Sequence, residues 1–333
     1  MDILTQGLLG GVLAQSVAKK DETKLATLIG IVAGILADAD IFIYSANDPL
    51  LNIEFHRHFT HSLFFIPFGA AIAMALFWPF IRKRISLSRL YLFSLMGYSL
   101  SGVLDACTSY GTHLFWPLSD ERTALNIISI IDPIFTFILF LTLVVTLRLK
   151  RRPITRVGLL LAAIYMSLGY VQLQRAQDVA EVLIASRGHQ STQHIVKPTL
   201  ANLVLWRSVY VHQNRIYVDA IRVGIFSKNK IFEGESVEKF VVAKHLPDLN
   251  ASSVLYKDIQ RFKIFSDEYI AINPTQKNVI GDLRYSMLPN KTKPLWGIVI
   301  NQAQPQDHAD YQFFRDTGRN VRQEFINMLL NRK

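Results

Sequence analysis

The chain has 333 residues and a formal net charge of +10, and half of its residues are hydrophobic. Soluble proteins also approach that hydrophobic fraction, so composition alone does not assign the chain to a membrane. Its single cysteine, Cys107, excludes an internal disulfide framework. The distribution of apolar residues is more informative. Nearly uncharged apolar runs occupy residues 25–44, 60–81, 90–108, 130–147 and 157–173. Each has about the 17–25 residues needed to cross a hydrocarbon layer.

The opening segment, residues 1–18, is shorter and rich in glycine. It has no basic region ahead of its apolar residues, so we do not expect a cleaved signal peptide. A sixth, partly polar spanning or half-inserted helix fits it better. The sequence therefore predicts an all-α polytopic membrane domain over residues 1–175, with about five to six transmembrane helices.

Basic residues alternate between the connections of these runs. Three connections carry the clusters Lys19, Lys20, Lys24; Arg82, Lys83, Arg84, Arg89; and Arg148, Lys150, Arg151, Arg152, Arg156. The intervening loops, 45–59 and 109–129, hold only Arg57 and Arg122. Basic clusters also occur in nucleic-acid patches, but this alternation favours membrane topology, so we expect the lipid bilayer and no nucleic acid as a partner. The positive-inside rule then predicts a multi-pass membrane protein with cytoplasmic basic loops.

The tail differs in character, and the same topology predicts that it lies on the external side of the membrane. Residues 176–200 are predicted as a linker, and residues 201–333 as a small extracytoplasmic α+β domain, mainly antiparallel. Period-two alternation predicts a strand at 214–223, and shorter candidates occur at 240–243, 262–265, 269–272 and 296–300. The last 20 residues fit an amphipathic helix. The tail's excess of basic residues suits anionic lipid head groups.

The candidate site consists of imidazoles and carboxylates at the predicted outer face. His56 and His61 begin the third apolar run, Asp38 and Asp40 end the second, and Asp105 ends the fourth. Ionisable residues at a membrane edge are costly and usually functional. Zn²⁺ binds imidazole nitrogen and carboxylate oxygen, and a catalytic zinc site keeps one position open for water. The pattern predicts a divalent metal, with Zn²⁺ as first choice, bound by His56, His61, Asp40 and Asp105.

Two further residues are predicted to act in catalysis. Asp38 and Asp40 are two positions apart, so they cannot both point the same way from a regular helix. Asp38 is therefore expected to orient a histidine or to act as a bridging ligand. Arg57 could hold an anionic substrate through paired hydrogen bonds. A structural alternative stays open, because Asp38, Asp132 and Thr60 could each be a helix cap. His58 is left out of the predicted site.

Three motifs in this region resemble the YdjM-like family of bacterial inner-membrane proteins, described as membrane-bound metal-dependent hydrolases. They are Leu36-Ala37-Asp38-Ala39-Asp40-Ile41, His56-Arg57-His58-Phe59-Thr60-His61-Ser62, and Gly97-Tyr98-Ser99-Leu100-Ser101-Gly102-Val103-Leu104-Asp105 with Trp116-Pro117 after it. Gln6, Ile41 and Ser101 stand where many members have histidine. The tail resembles the longer-chain branch of that family. The resemblance implies an all-α metal phosphoesterase architecture and, by analogy only, phosphoester hydrolysis.

The function predicted from the sequence is a membrane-bound metal-dependent hydrolase. Metal-activated water at the periplasmic face would attack a phosphoester of a lipid or envelope metabolite. The alternative is a non-catalytic membrane scaffold or metal sensor whose outer domain binds a partner, which the three missing imidazoles favour. A transporter is disfavoured, because the carboxylates gather at one face with no polar path toward the other.

Overall fold

The computed structural model describes residues 1–332, which form two compact units. The helical unit comprises Met1–Ile43, Phe55–Val171 and Leu200–Asn202. The sheet unit comprises Tyr44–Glu54, Gln172–Thr199 and the chain from Leu203 onward. Each unit is therefore assembled from separated stretches of sequence.

Eight α-helices precede the first strand. They are α1 Ile3–Val17, α2 Thr23–Leu36, α3 Leu51–Phe55, α4 Ile66–Ile81, α5 Leu87–Tyr98, α6 Ser101–Ala106, α7 Pro133–Leu149 and α8 Arg152–Ser186. Three 3₁₀ turns, Ala37–Phe42, Phe59–His61 and Leu63–Phe65, lie between α2 and α4. The predicted helical character of the N-terminal region is thus confirmed.

Three helical segments among the described residues are long and apolar enough to cross a membrane: Thr23–Phe42, Leu63–Ile81 and Arg152–Ser186. Two shorter apolar helices, α1 and α7, accompany them. The apolar run at 90–108 is divided between α5 and α6, because the chain leaves helical geometry at Leu100 (φ −107°, ψ 4°). The count of five to six transmembrane helices stays a prediction.

Glycines allow α1, α2 and α5 to pack unusually closely. A Cβ atom on Gly10 would lie 2.3 Å from the carbonyl oxygen of Gly30 and 2.8 Å from that of Gly97. Small residues at such crossings let helix backbones approach, which is a common basis of helix association in membranes. The 3₁₀ turn Ala37–Phe42 continues directly from α2, so its aspartates follow this tightly packed pair of helices.

The sheet unit contains two antiparallel sheets, which confirms the predicted antiparallel C-terminal region. The strands are β1 Gln193–Pro198, β2 Leu205–His212, β3 Arg215–Arg222, β4 Lys230–Phe232, β5 Ser236–Glu238, β6 Ile270–Asn273, β7 Gln276–Asp282, β8 Trp296–Val299 and β9 Asp310–Phe313. The first sheet has the order β1-β2-β3-β4, with β5 also paired to β3, and the second has the order β6-β7-β8-β9. Helices α9 Val242–His245, α10 Val254–Phe265 and α11 Arg319–Leu330 complete the unit.

Two of the predicted strands are helical. In residues 240–243 the last two form the start of α9, and residues 262–265 are the end of α10. In α10, Leu255, Ile259 and Phe262 are buried at helical spacing against the second sheet, so a period near 3.6 outweighs the local β-propensity. The predicted amphipathic helix at the C-terminus corresponds to α11.

The segment Tyr44–Glu54 is part of the core of the sheet unit. Its Leu50 and Ile53 are buried in the same cluster as the apolar face of α10. Arg261 of α10 also donates two hydrogen bonds to Asp48, at 2.9 and 3.0 Å, and two to Glu54, at 2.6 and 2.7 Å. Residues 176–200, predicted as a linker, contain the end of α8 and all of β1.

Candidate metal centre

His61 lies at the centre of a buried group of carboxylates in the helical unit. Its ring is 2% exposed, at the end of the 3₁₀ turn Phe59–His61. Its Nε2 atom lies 3.2 Å from Asp38 Oδ1 and 3.0 Å from Asp105 Oδ2. On the other side of the ring, Nδ1 lies 3.2 Å from Asp40 Oδ2 and 3.0 Å from Thr60 Oγ1. Three carboxylates thus surround one imidazole.

Asp40 organises the histidine motif through hydrogen bonds. Its Oδ1 lies 2.8 Å from His56 Nδ1, and its Oδ2 accepts hydrogen bonds from the Arg57 backbone N–H (2.8 Å) and the Thr60 hydroxyl (2.6 Å). Asp40 is 2% exposed. A buried carboxylate with this many donors fixes ring orientation, the role that outer-shell carboxylates play for metal-bound histidines.

Asp105 is fully buried and receives donors from several parts of the unit. The Gln6 side chain donates to Oδ2 at 2.8 Å, and Arg57 Nη1 lies 3.4 Å from Oδ1. The Met1 amino group forms an ion pair with the same carboxylate. Gln6, which stands where the resemblance led us to expect histidine, therefore contributes to the site as a hydrogen-bond donor.

Backbone constraints hold the histidine motif against α6. A Cβ atom on Gly102 would lie 1.9 Å from the carbonyl oxygen of His61, so only glycine permits this approach. Arg57 has φ 61°, a left-handed conformation that is costly for arginine. Its carbonyl accepts hydrogen bonds from Thr112 Oγ1 at 2.9 Å and the His113 N–H at 3.1 Å. Such strain persists where surrounding contacts over-determine the conformation, often at functional sites.

The donor atoms lie close enough together that they could hold a metal ion. Ligand atoms of Asp38, His61 and Asp105 all lie within 4.8 Å of one another, and so do those of Asp38, Asp40 and His56. In a tetrahedral zinc site with bonds of about 2.0–2.2 Å, neighbouring ligand atoms lie about 3.3–3.6 Å apart. The separations from His61 Nε2 are close to that edge length. His61 Nε2 and Asp38 Oδ1 are buried without an aligned hydrogen-bond partner among the described residues.

Two other residues considered in the sequence, Asp132 and His58, lie outside this group. Asp132 caps α7, where its Oδ1 accepts from the backbone N–H groups of Ile134 and Phe135 at 3.1 and 3.0 Å. It also accepts from the Tyr165 hydroxyl at 2.9 Å. The structural alternative for Asp132 is therefore the correct one. His58, which the sequence left out, packs its ring against that of His113, with ring centroids 4.4 Å apart. Burial and the nearby Arg122 lower the pKa of His113 to about 4.

Three residues in or beside the site went unrecognised in the sequence. Thr60 looked like a helix cap but bridges Asp40 and His61, and Tyr98 donates to the Thr60 carbonyl at 2.6 Å. A hydroxyl residue next to a candidate ligand was the available signal for Thr60. The ring of Tyr110 has the guanidinium carbons of Arg57 and Arg122 at 5.2 and 5.1 Å from its centroid. Nothing in the sequence pattern marked that tyrosine.

Comparison with known proteins found a family match over the helical part of the chain and two relatives. The family described as YdjM inner membrane protein matches residues 1–176. Inner membrane protein YbcI of Escherichia coli (strain K12) is 35% identical over 98 residues, covering 28% of this chain and 54% of that protein. The uncharacterized protein YfhP of Bacillus subtilis (strain 168) is 27% identical over 197 residues, 58% of each chain. The chain thus spans little more than half the length of these relatives. No solved structure matches it significantly.

Proposed function

Because this chain belongs to the YdjM inner membrane protein family, we propose that it is a membrane-bound metal-dependent hydrolase whose metal centre lies around His61. The observation that carries the proposal is the convergence of His61 Nε2 with oxygens of Asp38 and Asp105 in a buried space. Packing alone does not gather these groups, because each carboxylate loses hydration on burial. A divalent cation would offset that cost.

The geometry favours an exchange of roles between the two neighbouring aspartates. We propose that Asp38, His61 and Asp105 bind the metal, while Asp40 holds His56, Thr60 and the His61 ring in place. The sequence predicted the reverse, with Asp40 as ligand and Asp38 in support. The supporting observation is that Asp38 faces Nε2, whereas Asp40 faces Nδ1 and already accepts three hydrogen bonds.

Phosphoester hydrolysis is the reaction class we propose. A bound Zn²⁺ would supply Lewis acidity and lower the pKa of water to near neutrality. Arg57 places positive charge beside Asp105, where it offsets the carboxylate charge and favours an anionic substrate. We propose an ester of a lipid or envelope metabolite, acted on at the periplasmic face, because the family is one of inner membrane proteins.

Metal content tests the site. Elemental analysis of detergent-purified protein should find one tightly bound divalent metal per chain. His61→Ala should lose it, and His56→Ala should retain most of it, because His56 contacts only Asp40 among the proposed site residues. If the wild-type protein holds two metal ions and His56→Ala holds one, the single centre is contradicted. That result would favour a second ion at Asp38, Asp40 and His56. Wild-type protein without bound metal would refute the proposal.

Hydrolysis needs a separate test with a matched pair of variants. Zinc-loaded protein is assayed against phosphomonoesters, phosphodiesters and phospholipids. Asp105→Asn should abolish turnover and metal binding. Asp132→Asn is the control, because Asp132 is equally buried but lies in the cap of α7, where asparagine also serves well. Equal loss in both variants would point to a folding defect.

A non-catalytic metal sensor or scaffold is the second candidate function. It is favoured by the donors that Gln6 and Arg57 already supply to Asp105, because a carboxylate paired in this way binds a cation less strongly. Bound metal without turnover across the whole substrate panel would support this candidate.

A further inference from the structure

The loop between β3 and β4 has an apolar tip beside basic residues. Ile225 is 46% exposed and Phe226 is fully exposed. Lys228 and Lys230 follow, and the chain has no acidic residue between Asp219 and Glu233. Single exposed apolar residues are common on soluble surfaces. Two adjacent ones at a loop tip, followed by lysines, resemble the apolar and basic combination that binds membrane interfaces.

Side chains of α8 fix the base of this loop. Gln172 Nε2 donates to the Val223 carbonyl at 2.9 Å, and Arg175 Nη2 donates to the Gly224 carbonyl at 3.1 Å. A Cβ atom on Gly224 would lie 2.0 Å from Ser227 Oγ, so the loop turns back tightly on itself there. The tip is therefore held at a defined position beside α8.

That position corresponds to one end of the apolar part of α8. No charged residue occurs between Arg156 and Arg175, and a rise of 1.5 Å per residue makes this stretch about 27 Å long. A bilayer's hydrocarbon core is about 30 Å thick. Tyr170, near the same end, is 53% exposed, as aromatic residues at membrane interfaces usually are. Arg175 thus lies where α8 would leave the hydrocarbon.

We propose that Ile225 and Phe226 insert into the lipid interface next to α8, with Lys228 and Lys230 against anionic phospholipid head groups. Phe226 lies two residues from the anchored Gly224, and two residues of chain span at most about 7 Å. That reach is similar to the thickness of one head-group layer. The occupant we infer is lipid, because the anchor is the end of an apolar helix and the adjoining charges are all basic. This contact is independent of the metal centre.

Depth-dependent quenching tests the proposal on the full chain in vesicles. In a Cys107→Ser background, an environment-sensitive fluorophore is attached through Ser227→Cys, which keeps both apolar tip residues. Vesicles contain phosphatidylcholine with or without phosphatidylglycerol, and a lipid carrying a nitroxide as quencher. The control probe is Arg215→Cys, an exposed position at the other end of β3, about 23 Å away at 3.3 Å per residue.

We expect blue-shifted emission and strong quenching at position 227, little quenching at 215, and deeper quenching with phosphatidylglycerol. Ile225→Ser/Phe226→Ser should remove most of the quenching at 227, and Lys228→Gln/Lys230→Gln should remove its dependence on the anionic lipid. Equal quenching at 215 and 227, or quenching that survives loss of both apolar residues, would overturn the proposal. Disulfide cross-linking of two copies through position 227 without lipid quenching would assign the tip to a second copy and overturn it too.

Discussion

Lys197 in β1 is a buried amine whose replacement should stabilise the protein. The residue is 3% exposed, and its Nζ has no hydrogen-bond partner among the described residues. The amine lies 3.1 Å from the centroid of the Tyr285 ring. Burial, followed by the positive charges of Arg284 and Arg207, holds the pKa of Lys197 well below its ordinary value of 10.5. The amine is therefore disposed to lose its proton when the chain folds.

The free energy of removing that proton sets an upper limit on the gain in stability. Removing it from an ordinary lysine at pH 7 costs about 5 kcal/mol, since 3.5 pH units separate pH 7 from 10.5 and each is worth about 1.4 kcal/mol. This figure is a ceiling, because contact with the Tyr285 ring returns part of it. Lys197→Met keeps the length of the side chain and removes the charge. We expect it to raise the free energy of unfolding by about 1–4 kcal/mol at pH 7.

Stability should also depend on pH in a definite direction. The unfolded chain binds a proton that the folded chain resists, so wild-type stability should rise with pH until about 10.5. The advantage of Lys197→Met should accordingly shrink between pH 7 and pH 9.5. The assay is urea unfolding in mild detergent, followed by tryptophan fluorescence, since Trp206 is fully buried in the adjacent strand β2. Lys277→Met, at an exposed site in β7, is the control and should change stability by less than about 0.5 kcal/mol. A Lys197→Met protein less stable than wild type at pH 7 would refute the reasoning.

Two further predictions concern contacts that hold each unit together. Gly102→Ala should disrupt the approach of α6 to His61, destabilise the helical unit by about 1–3 kcal/mol, and lower metal content. The control is Gly188→Ala in the sheet unit, where an added Cβ meets nothing within 4 Å but the left-handed φ of +68° makes alanine costly; it should lower stability and leave metal content unchanged. Arg261→Met should cost about 1–3 kcal/mol in urea unfolding, because it leaves the buried Asp258 without the 2.9 Å hydrogen bond from Arg261. Lys293→Met, which breaks only an exposed 3.6 Å pair with Asp316, should cost less than about 0.5 kcal/mol, and equal losses would contradict the importance of burial.

The apolar runs predicted the helical N-terminal region well because long uncharged stretches have few alternatives. The strand at 214–223 was equally clear, since alternation over eight or more residues fits only a strand, and β3 occupies Arg215–Arg222. Residues 262–265 were assigned wrongly because a four-residue stretch with three apolar residues fits either a strand or a helix. Their helical identity became visible only with the spacing of Leu255 and Ile259 ahead of them.

The site shows a similar division. Residue type and position predicted that His56, His61, Asp38, Asp40 and Asp105 would gather, and the structure brings all five together. The sequence could not establish which aspartate faces which nitrogen of His61. That choice depends on the 3₁₀ turn Ala37–Phe42, since a turn of three residues rather than 3.6 rotates neighbouring side chains differently. The change from α-helix to 3₁₀ turn thus makes Asp38 the candidate ligand and Asp40 the residue that orients His61.

The segment Tyr44–Glu54 makes the order of synthesis relevant to the proposed metal centre. Asp48 and its partner Arg261 are 213 residues apart in the chain, and at about 5–20 residues per second a ribosome needs about 10–40 s to cover that distance. During this time the segment exists before the helix and sheet against which it packs. Its two ends lead directly to Asp40 and His56. The connection between the aspartate and histidine motifs of the proposed site therefore reaches its final conformation only late in translation, and a chain shortened before α10 would never complete it.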